Sequence, residues 1–219
     1  GGLVGSNGAS FGGYSSIGGD IQNTYATGLV TATGASVEQT YAGGLLGANQ
    51  IVVNYSYNNE NPDSPLLEPL SGTVSNSFWN TETSGQTQGI GGFIAPNQEQ
   101  FGDLSAEVLA QIDALKQVPE SLKGITTAQM KQSSTFKEAG WDISNKGGDE
   151  TVWRIYEGYT GPLLRDFLTK VDTSNSTSNI TYDGKTHNLT LNGVEGLDSS
   201  KLLVGSGTDS ARNAGNYKA

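Results

Sequence analysis

The chain has 219 residues, with 12 Lys and Arg against 22 Asp and Glu, a formal net charge of -10 at pH 7, and no cysteine. The scarcity of basic residues argues against nucleic acid and anionic membranes as partners, and no apolar run is long enough for membrane insertion. The absence of cysteine excludes disulfides, thiolate catalysis and thiolate metal sites. Because the chain begins with Gly1, we expect a fragment of a longer protein whose export signal lies outside it.

The first 95 residues carry repeated patterns. Gly1–Gly5 (Gly-Gly-Leu-Val-Gly) returns as Gly43–Gly47 (Gly-Gly-Leu-Leu-Gly), and we predict that the glycines permit tight corners and positive φ around an apolar pair. A second pattern places an aliphatic residue four positions before an aromatic one, beginning at Ile21, Ile51 and Val74. This spacing predicts that both side chains lie on the same face of one extended strand. Short apolar segments between turn residues indicate a β-solenoid.

Two features of these repeats have a predicted structural role. Residues 58–70 contain three prolines and are predicted to protrude as a loop, because proline cannot donate to a strand ladder. Asn23 and Asn76 occupy the same place in their repeats. We expect them to form hydrogen bonds along a turn rather than to contact a ligand.

The hydrophobic periodicity changes near residue 104. Ser105 or Asp103 can serve as the N-cap of a helix that ends before Pro119, and its apolar residues recur at helical spacing: Leu104, Val108, Ile112 and Leu115. We predict that this apolar stripe lies on the solenoid or plugs its open end. A second, shorter helix is predicted from the capping-box spacing of Thr126–Gln129.

Strands are predicted again further along the chain. Trp141–Ile143, Val152–Tyr156 and Leu163–Leu164 are short apolar segments separated by glycine-containing turns. Residues 169–180 are rich in Ser, Thr and Asn and are predicted to form a linker. Beyond this linker we predict a β-hairpin that turns at Asp183–Gly184.

Several of these segments resemble a known family. Gly1–Gly5 and Val74–Gly85 (Val-Ser-Asn-Ser-Phe-Trp-Asn-Thr-Glu-Thr-Ser-Gly) are similar to the GLUG repeats of large bacterial surface exoproteins. The segment Gly124–Arg165 resembles the part that closes such arrays, and residues 182–217 resemble a YDG-type repeat. The chain therefore resembles the filamentous haemagglutinin and high-molecular-weight adhesin group, which is secreted by two-partner systems.

The resemblance implies a mainly β fold, a right-handed parallel β-helix or β-solenoid at the bacterial cell surface. Residues 1–168 would form the GLUG-repeat solenoid with a helical insertion at about 97–132, followed by the linker at 169–180 and a partial YDG-type β-repeat at 181–219. The irregular repeat spacing and the helical insertion depart from the family pattern. We expect the insertion to carry any specialised function.

The same resemblance implies a role in cell adhesion and virulence. The expected partner is a host-cell receptor or glycan, and an outer-membrane secretion partner would bind a region outside this chain. We interpret the chain as a non-enzymatic adhesin fragment. A purely structural stalk or spacer and a β-helical polysaccharide-degrading enzyme are the two alternatives.

Enzymatic chemistry has few candidate residues. His187 is the single histidine, and without a second histidine or a cysteine a zinc site of the usual kind is excluded. Glu138 with Asp142, or Asp149 with Glu150, could supply the two carboxylates of a glycosidase, but we interpret both pairs as solvated. We predict no enzymatic activity and no cofactor, and Ca²⁺ held by acidic loops is the alternative left open.

Two further sets of residues are candidates for modification or binding. Four Asn-x-Ser/Thr sequons are candidate glycosylation sites, although chance occurrence explains them at least as well: Asn54, Asn175, Asn179 and Asn188. Three tryptophans are candidate carbohydrate-contact residues, although plugging or capping a solenoid end is the favoured interpretation: Trp79, Trp141 and Trp153.

Overall fold

The computed structural model describes residues 1–12, 15–33, 40–56, 66–96, 104–146, 150–168, 183–185, 187–188 and 210–211. The chain divides into two compact units, Gly1–Thr127 and Ala128–Ala219. Strands predominate over helices in the described residues, which confirms the predicted mainly β class. The predicted linker at 169–180 lies outside the described residues.

Parallel pairing organises the first unit. The first ladder joins β1 (Val4–Asn7), β6 (Leu46–Ser56) and β10 (Ile90–Ile94). The second joins β4 (Asp20–Gln22) to β8 (Thr73–Ser75), and the third joins β5 (Tyr25–Ala26), β9 (Ser77–Asn80) and β11 (Leu122–Ile125). We name β1, β4 and β5 the first tier, β6, β8 and β9 the second tier, and β10 and β11 the third tier.

The repeated motifs occupy matching positions in these ladders. Val4 pairs with Leu46, and Leu46 pairs with Ile90 on its other side. The segment around Ile90 is a third copy that sequence analysis missed, because its pattern is Gly-Ile-Gly-Gly rather than Gly-Gly-Leu. The copies therefore lie directly above one another, and their apolar side chains form continuous columns.

One core cluster draws on all three ladders. Its buried members are Ile21, Ala26, Leu45, Leu46, Val74, Trp79, Ile90 and Leu122, with Val4 and Phe93 packed against them. A ladder of strands this short cannot enclose a core by itself, so residues from separate ladders must share one. The apolar segments of the repeats are removed from water by packing into this shared interior.

The motif glycines have a different role from the one predicted. Among the described glycines, positive φ occurs at Gly85, Gly140, Gly158 and Gly184, and at no glycine of Gly1–Gly5 or Gly43–Gly47. A Cβ on Gly44 would overlap the indole ring of Trp79, and a Cβ on Gly43 would meet the backbone of Gly91. Close approach of neighbouring chain segments, rather than backbone conformation, therefore requires glycine at these two positions.

The segment that begins at Ile51 is not a copy of the second pattern. Strand β6 continues through it and pairs antiparallel with β7 (Leu66–Ser71), where Val53 lies opposite Pro69. Residues 66–70 are thus a strand and not part of the predicted loop. A proline is tolerated because, in the described sheet, β7 pairs with β6 alone and needs no donor on its outer edge. The rest of that predicted loop lies outside the described residues.

The other two copies pair with each other but do not form single strands. Ile21 pairs with Val74 and Tyr25 with Phe78, yet Asn23 and Asn76 interrupt the strands between them. The aliphatic and aromatic residues of each copy therefore belong to different ladders. The expectation of one extended strand was wrong because a left-handed asparagine turns the chain at that point.

Each tier carries an excursion after its first strand. In the first tier it is the antiparallel hairpin of β2 (Ala9–Gly12) and β3 (Ser15–Gly18), and in the second it is the antiparallel part of β6 with β7. In the third it contains helix α1 (Ala106–Leu115). We name these three excursions the arms.

Buried asparagines close the first two arms. Asn7 Nδ2 donates to the carbonyls of Gly19 and Thr73 at 3.2 and 3.3 Å, and Asn49 Nδ2 donates to the Gly72 carbonyl at 2.9 Å. Asn7 and Asn49 are paired neighbours in the first ladder. Each amide thus holds the residue at which the chain returns from its arm, across 12 residues in the first tier and 23 in the second.

Helix α1 confirms the predicted periodicity. Ser105 is its N-cap, and the Ser105 hydroxyl accepts a hydrogen bond from the Val108 backbone at 3.3 Å. Its buried face packs with Ile51 and Val53 of the second arm in a cluster that also includes Leu104 and Ile112. The helix therefore lies on the neighbouring arm.

The second unit begins with short helices. They are a 3₁₀ turn at Gln129–Lys131, α2 (Ser133–Glu138) and a later 3₁₀ turn at Arg165–Phe167. The second, shorter helix predicted from Thr126–Gln129 is present as this first 3₁₀ turn, which begins after Ala128 without a side-chain cap at that residue. The Thr127 backbone N–H donates to Glu82. Helix α2 was not predicted, because six residues are too few to show a period.

The strands of the second unit are shorter than predicted. β12 (Ile143–Ser144) pairs parallel with β13 (Trp153–Arg154), which pairs antiparallel with β14 (Leu163–Leu164). At Asp183–Gly184 the chain makes the predicted turn, with φ of 73° at Gly184. β15 (His187–Asn188) pairs with β16 (Ser210–Ala211), and the residues on the other side of the turn lie outside the described part. None of the described helices has the length and apolar run of a bilayer span.

Candidate functional site

Trp79 is part of the core of the first unit. It projects from β9, and its ring lies against the glycines Gly44, Gly89 and Gly124. The indole Nε1 donates to the Gln86 carbonyl at 3.3 Å, so its one polar atom is satisfied within the protein. A ring held in this way is not presented to a soluble sugar.

Trp141 and Trp153 come together in the second unit. Their ring centroids are 4.9 Å apart, and Trp141 also packs against Phe136 at 4.9 Å. Trp141 is buried and Trp153 is half-buried. The two rings thus form part of the core of this unit, and of the two only Trp153 is partly exposed to solvent.

The candidate glycosylation sites have little structural context. Asn54 is half-buried in β6, opposite Glu68 of β7, and the Asn188 backbone pairs with Ser210. Asn175 and Asn179 lie outside the described residues. The sequons therefore stay predictions, and Asn54 is the one whose side-chain environment is known.

The candidate catalytic carboxylates have structural partners. Asp142 Oδ2 accepts from the Val152 backbone at 2.9 Å, and Glu150 Oε2 accepts from Arg165 Nη1 at 2.7 Å. Glu138 is exposed at the end of α2, and Asp149 lies outside the described residues. His187 is known only by its backbone pairing with Ala211. Over the described ranges, no three acidic, histidine or cysteine side chains gather closely enough to hold a metal ion.

A cleft of about 380 Å³ opens on the second unit, and sequence analysis did not identify it as a site. Its lining residues are Glu150, Thr151, Val152, Leu164, Arg165, Asp166 and Phe167. The Trp153–Leu164 pair and a 3.0 Å hydrogen bond from the Arg165 N–H to the Val152 carbonyl join its two sides. The two walls are therefore fixed by backbone pairing.

The cleft combines exposed apolar side chains with an ion pair. Phe167 is 84% exposed and Val152 is 54% exposed, which is unusual for two large apolar residues at one place. The hydrogen bond that Arg165 donates to Glu150 raises the pKa of Arg165, so the guanidinium stays charged. Because this pair is exposed, it adds little to stability, and its atoms remain available to a ligand.

No protein-family model, curated protein or solved structure compared with the chain matches it.

Proposed function

We propose that the chain is part of a secreted bacterial surface adhesin of the filamentous haemagglutinin type and that it mediates attachment without enzymatic activity. In this proposal the tiers of the first unit are successive turns of a right-handed parallel β-helix with GLUG-like repeats. The observation that carries the proposal is the alignment of Val4, Leu46 and Ile90 in one parallel ladder. An array of repeats that stack in this way can be lengthened one repeat at a time, because each new repeat packs against its neighbour and needs no separate core.

A stacked ladder suits a protein that must hold a binding site away from a cell. Neighbouring tiers are joined by short parallel ladders, and we expect this pairing to make the unit stiffer than a chain of linked domains. The acidic composition, with a net charge of -10, keeps such a surface soluble. These properties fit a stalk as well as an adhesin, so the binding site decides between the two.

The cleft of the second unit is the proposed contact with a host-cell glycan or receptor. The open ring of Phe167 can stack on the apolar face of a pyranose, which aromatic side chains commonly do through their large planar surfaces. Glu150 and Arg165 can exchange hydrogen bonds with sugar hydroxyls. A few polar groups around an apolar floor are typical of small-ligand sites.

Attachment of coated beads to epithelial cells, with a glycan array beside it, tests the proposal. We expect saturable attachment that soluble chain competes away and that Phe167→Ala weakens about tenfold, equivalent to about 1.4 kcal/mol. Tyr159→Ala is the matched control, because Tyr159 is also an exposed aromatic of the second unit but does not line the cleft.

Three results would count against the proposal. No attachment of the unmodified chain would favour the structural stalk. Attachment that Phe167→Ala leaves unchanged would remove the cleft from the contact. Release of reducing ends from a polysaccharide, abolished by replacing carboxylates, would favour the enzyme alternative.

A further inference from the structure

The cleft of the second unit carries more negative than positive charge. Among its described lining residues, Glu150 and Asp166 are acidic and Arg165 is basic, which leaves a formal excess of one negative charge. A third carboxylate, Asp142, is held beside the same wall, because its Oδ2 accepts from the Val152 N–H at 2.9 Å. The pKa of Arg165 is raised, chiefly by the hydrogen bond to Glu150 and further by the charges of all three carboxylates. The positive charge of Arg165 is therefore more than offset by its neighbours.

Arg165 is also engaged by a carboxylate of the protein itself. Its Nη1 donates to Glu150 Oε2 at 2.7 Å, and its backbone N–H donates to the Val152 carbonyl at 3.0 Å. A ligand carboxylate or sulfate would have to displace Glu150 or share the guanidinium with it. It would also meet the exposed carboxylate of Asp166. Like charges across a contact lower affinity, and such repulsion is a common means of rejecting a competing ligand.

The ion pair suits an uncharged hydroxyl better than an ion. A guanidinium only donates hydrogen bonds, and an ionised carboxylate only accepts them. A hydroxyl does both, so neighbouring sugar hydroxyls can accept from Arg165 and donate to Glu150, whose side chains are 37% and 81% exposed. An anionic group could satisfy only Arg165, and an ammonium group could satisfy only Glu150. The donor beside an acceptor therefore matches a glycan that carries hydroxyls and no net charge.

We propose that the cleft selects uncharged glycans, and that Glu150 and Asp166 are specificity-determining residues that exclude the sialylated and sulfated forms of the same sugar. The selection rests on the proposed glycan contact of the cleft and adds to it the class of ligand. Phe167 supplies the surface on which the sugar stacks, whereas the two carboxylates decide which sugars can approach it. Enzymatic removal of terminal sialic acid from host cells should therefore increase attachment.

Matched oligosaccharides that differ only in charge test the proposal. Oligosaccharides that end in galactose or N-acetylglucosamine are compared with their sulfated forms, and the galactose set also with its sialylated form. Binding to the whole chain is measured by surface plasmon resonance. We expect each neutral form to bind at least about tenfold more tightly than its anionic forms at low salt. The difference should shrink as salt is raised from about 0.05 M to about 0.5 M, because salt screens exposed charges.

Glu150→Gln is the variant that should change the selection. It removes one negative charge from the cleft and leaves Arg165 without its carboxylate partner. We expect the ratio of anionic to neutral affinity to rise at least about tenfold, and Asp166→Asn to add to the rise. Glu138→Gln is the matched control, because it makes the same change of charge at an exposed residue of the same unit that does not line the cleft. Thermal unfolding checks that each variant is folded.

The outcomes separate this selection from the contact on which it rests. Equal affinity of the unmodified chain for neutral and anionic forms would overturn the selection while the contact stands, and so would an unchanged ratio in Glu150→Gln. A ratio that rises equally in Glu138→Gln would overturn it too, by making net charge the cause. Neutral binding that Phe167→Ala leaves unchanged, or no binding to any oligosaccharide, would overturn the proposed contact and the selection together.

Discussion

Asn23 and Asn76 adopt the same left-handed backbone conformation, with φ of 51° and 44°, directly after the paired residues Gln22 and Ser75. They are the two described residues other than glycine with positive φ. Asparagine adopts this region more readily than most residues. The Oδ1 atom of Asn23 is buried and accepts no hydrogen bond, so the hydrogen bonding expected of this side chain along the turn is absent at that atom. The two positions that are equivalent in the sequence therefore form equivalent turns, one in the first tier and one in the second.

The Asn23 corner predicts an unusual order of substitutions. Asn23→Ala should lower the free energy of unfolding by about 1 kcal/mol, because alanine tolerates positive φ less well than asparagine does. Asn23→Gly should stay within about 0.5 kcal/mol of the parent, since glycine adopts this conformation freely. Urea unfolding of both variants measures the difference. An equal loss for both would mean that the side chain, rather than the φ angle, selects asparagine.

Gly44 should not tolerate a methyl group. The Cβ of Gly44→Ala would overlap Trp79 in the core, and we expect a loss of about 1–3 kcal/mol from overpacking. Gly5→Ala is the matched control from the same motif, because nothing lies within 4 Å of its added Cβ. Thermal unfolding should separate the two variants clearly. Similar stability of both would contradict the packing role assigned to Gly44.

The buried amide of Asn49 should be sensitive to charge. Asn49→Asp replaces the donor to the Gly72 carbonyl with an acceptor, and we expect a loss of about 2–4 kcal/mol. Gln50→Glu makes the same change of charge at the next residue, which is only half-buried, and should cost less than about 1 kcal/mol. Denaturant unfolding of the two variants tests this. A large loss in the control would point to net charge instead.

The N-cap of α1 provides a local test of the third arm. Ser105→Ala removes the acceptor for the Val108 N–H and should cost about 1 kcal/mol. Ser105→Asp retains an acceptor at the cap, so its stability should remain close to that of the parent. Both are compared by thermal unfolding followed by circular dichroism. If alanine and aspartate behave alike, the cap does not limit stability.

Glu82 gives the first unit a pH dependence of known sign. Hydrogen bonds from the side chain and backbone of Thr127 lower the pKa of the Glu82 carboxyl below its usual value of 4.5. A lowered folded-state pKa stabilises the fold above pH 4.5, and that contribution is lost as the pH falls through the folded-state value. Glu82→Gln should therefore be less stable than the parent at pH 7.

The difference between the two proteins should shrink as the pH falls below about 4.5. Glu120→Gln, at an exposed position of the same unit, is the control for loss of one negative charge. Unfolding midpoints measured from pH 7 to pH 3 provide the comparison. If the difference in unfolding midpoint stayed constant from pH 7 to pH 3, the charge of the Glu82 carboxylate would not contribute to its contact with Thr127.

The tier strands and α1 could be predicted because their signals are periodic and local. The repeat of the glycine motif located β1 and β6, and the helical spacing from Leu104 located α1. The second arm could not be predicted, because the residues after Ile51 have the same aliphatic and aromatic spacing as the true repeats. Only pairing across the chain distinguishes an antiparallel arm from a parallel tier, and that pairing leaves no local signal.

The candidate site was harder to predict than the fold. Large aromatic residues signal either a core or a binding surface, and sequence alone does not give the burial that separates Trp79 from Phe167. The cleft depends on the pairing of β13 with β14, which brings Glu150 beside Arg165. In the sequence, Leu164 and Phe167 flank two charged residues, a pattern too common to indicate a binding site.

The asparagine closures of the first two arms have a practical consequence for engineering. Asn7 closes an excursion of 12 residues and Asn49 one of 23, yet both return the chain to the same ladder register. The ladder register is therefore independent of the length of the arm. Foreign peptide cassettes grafted between Asn7 and Gly19 should leave the ladder in place, whereas the second arm must keep Ile51 and Val53, which pack against α1.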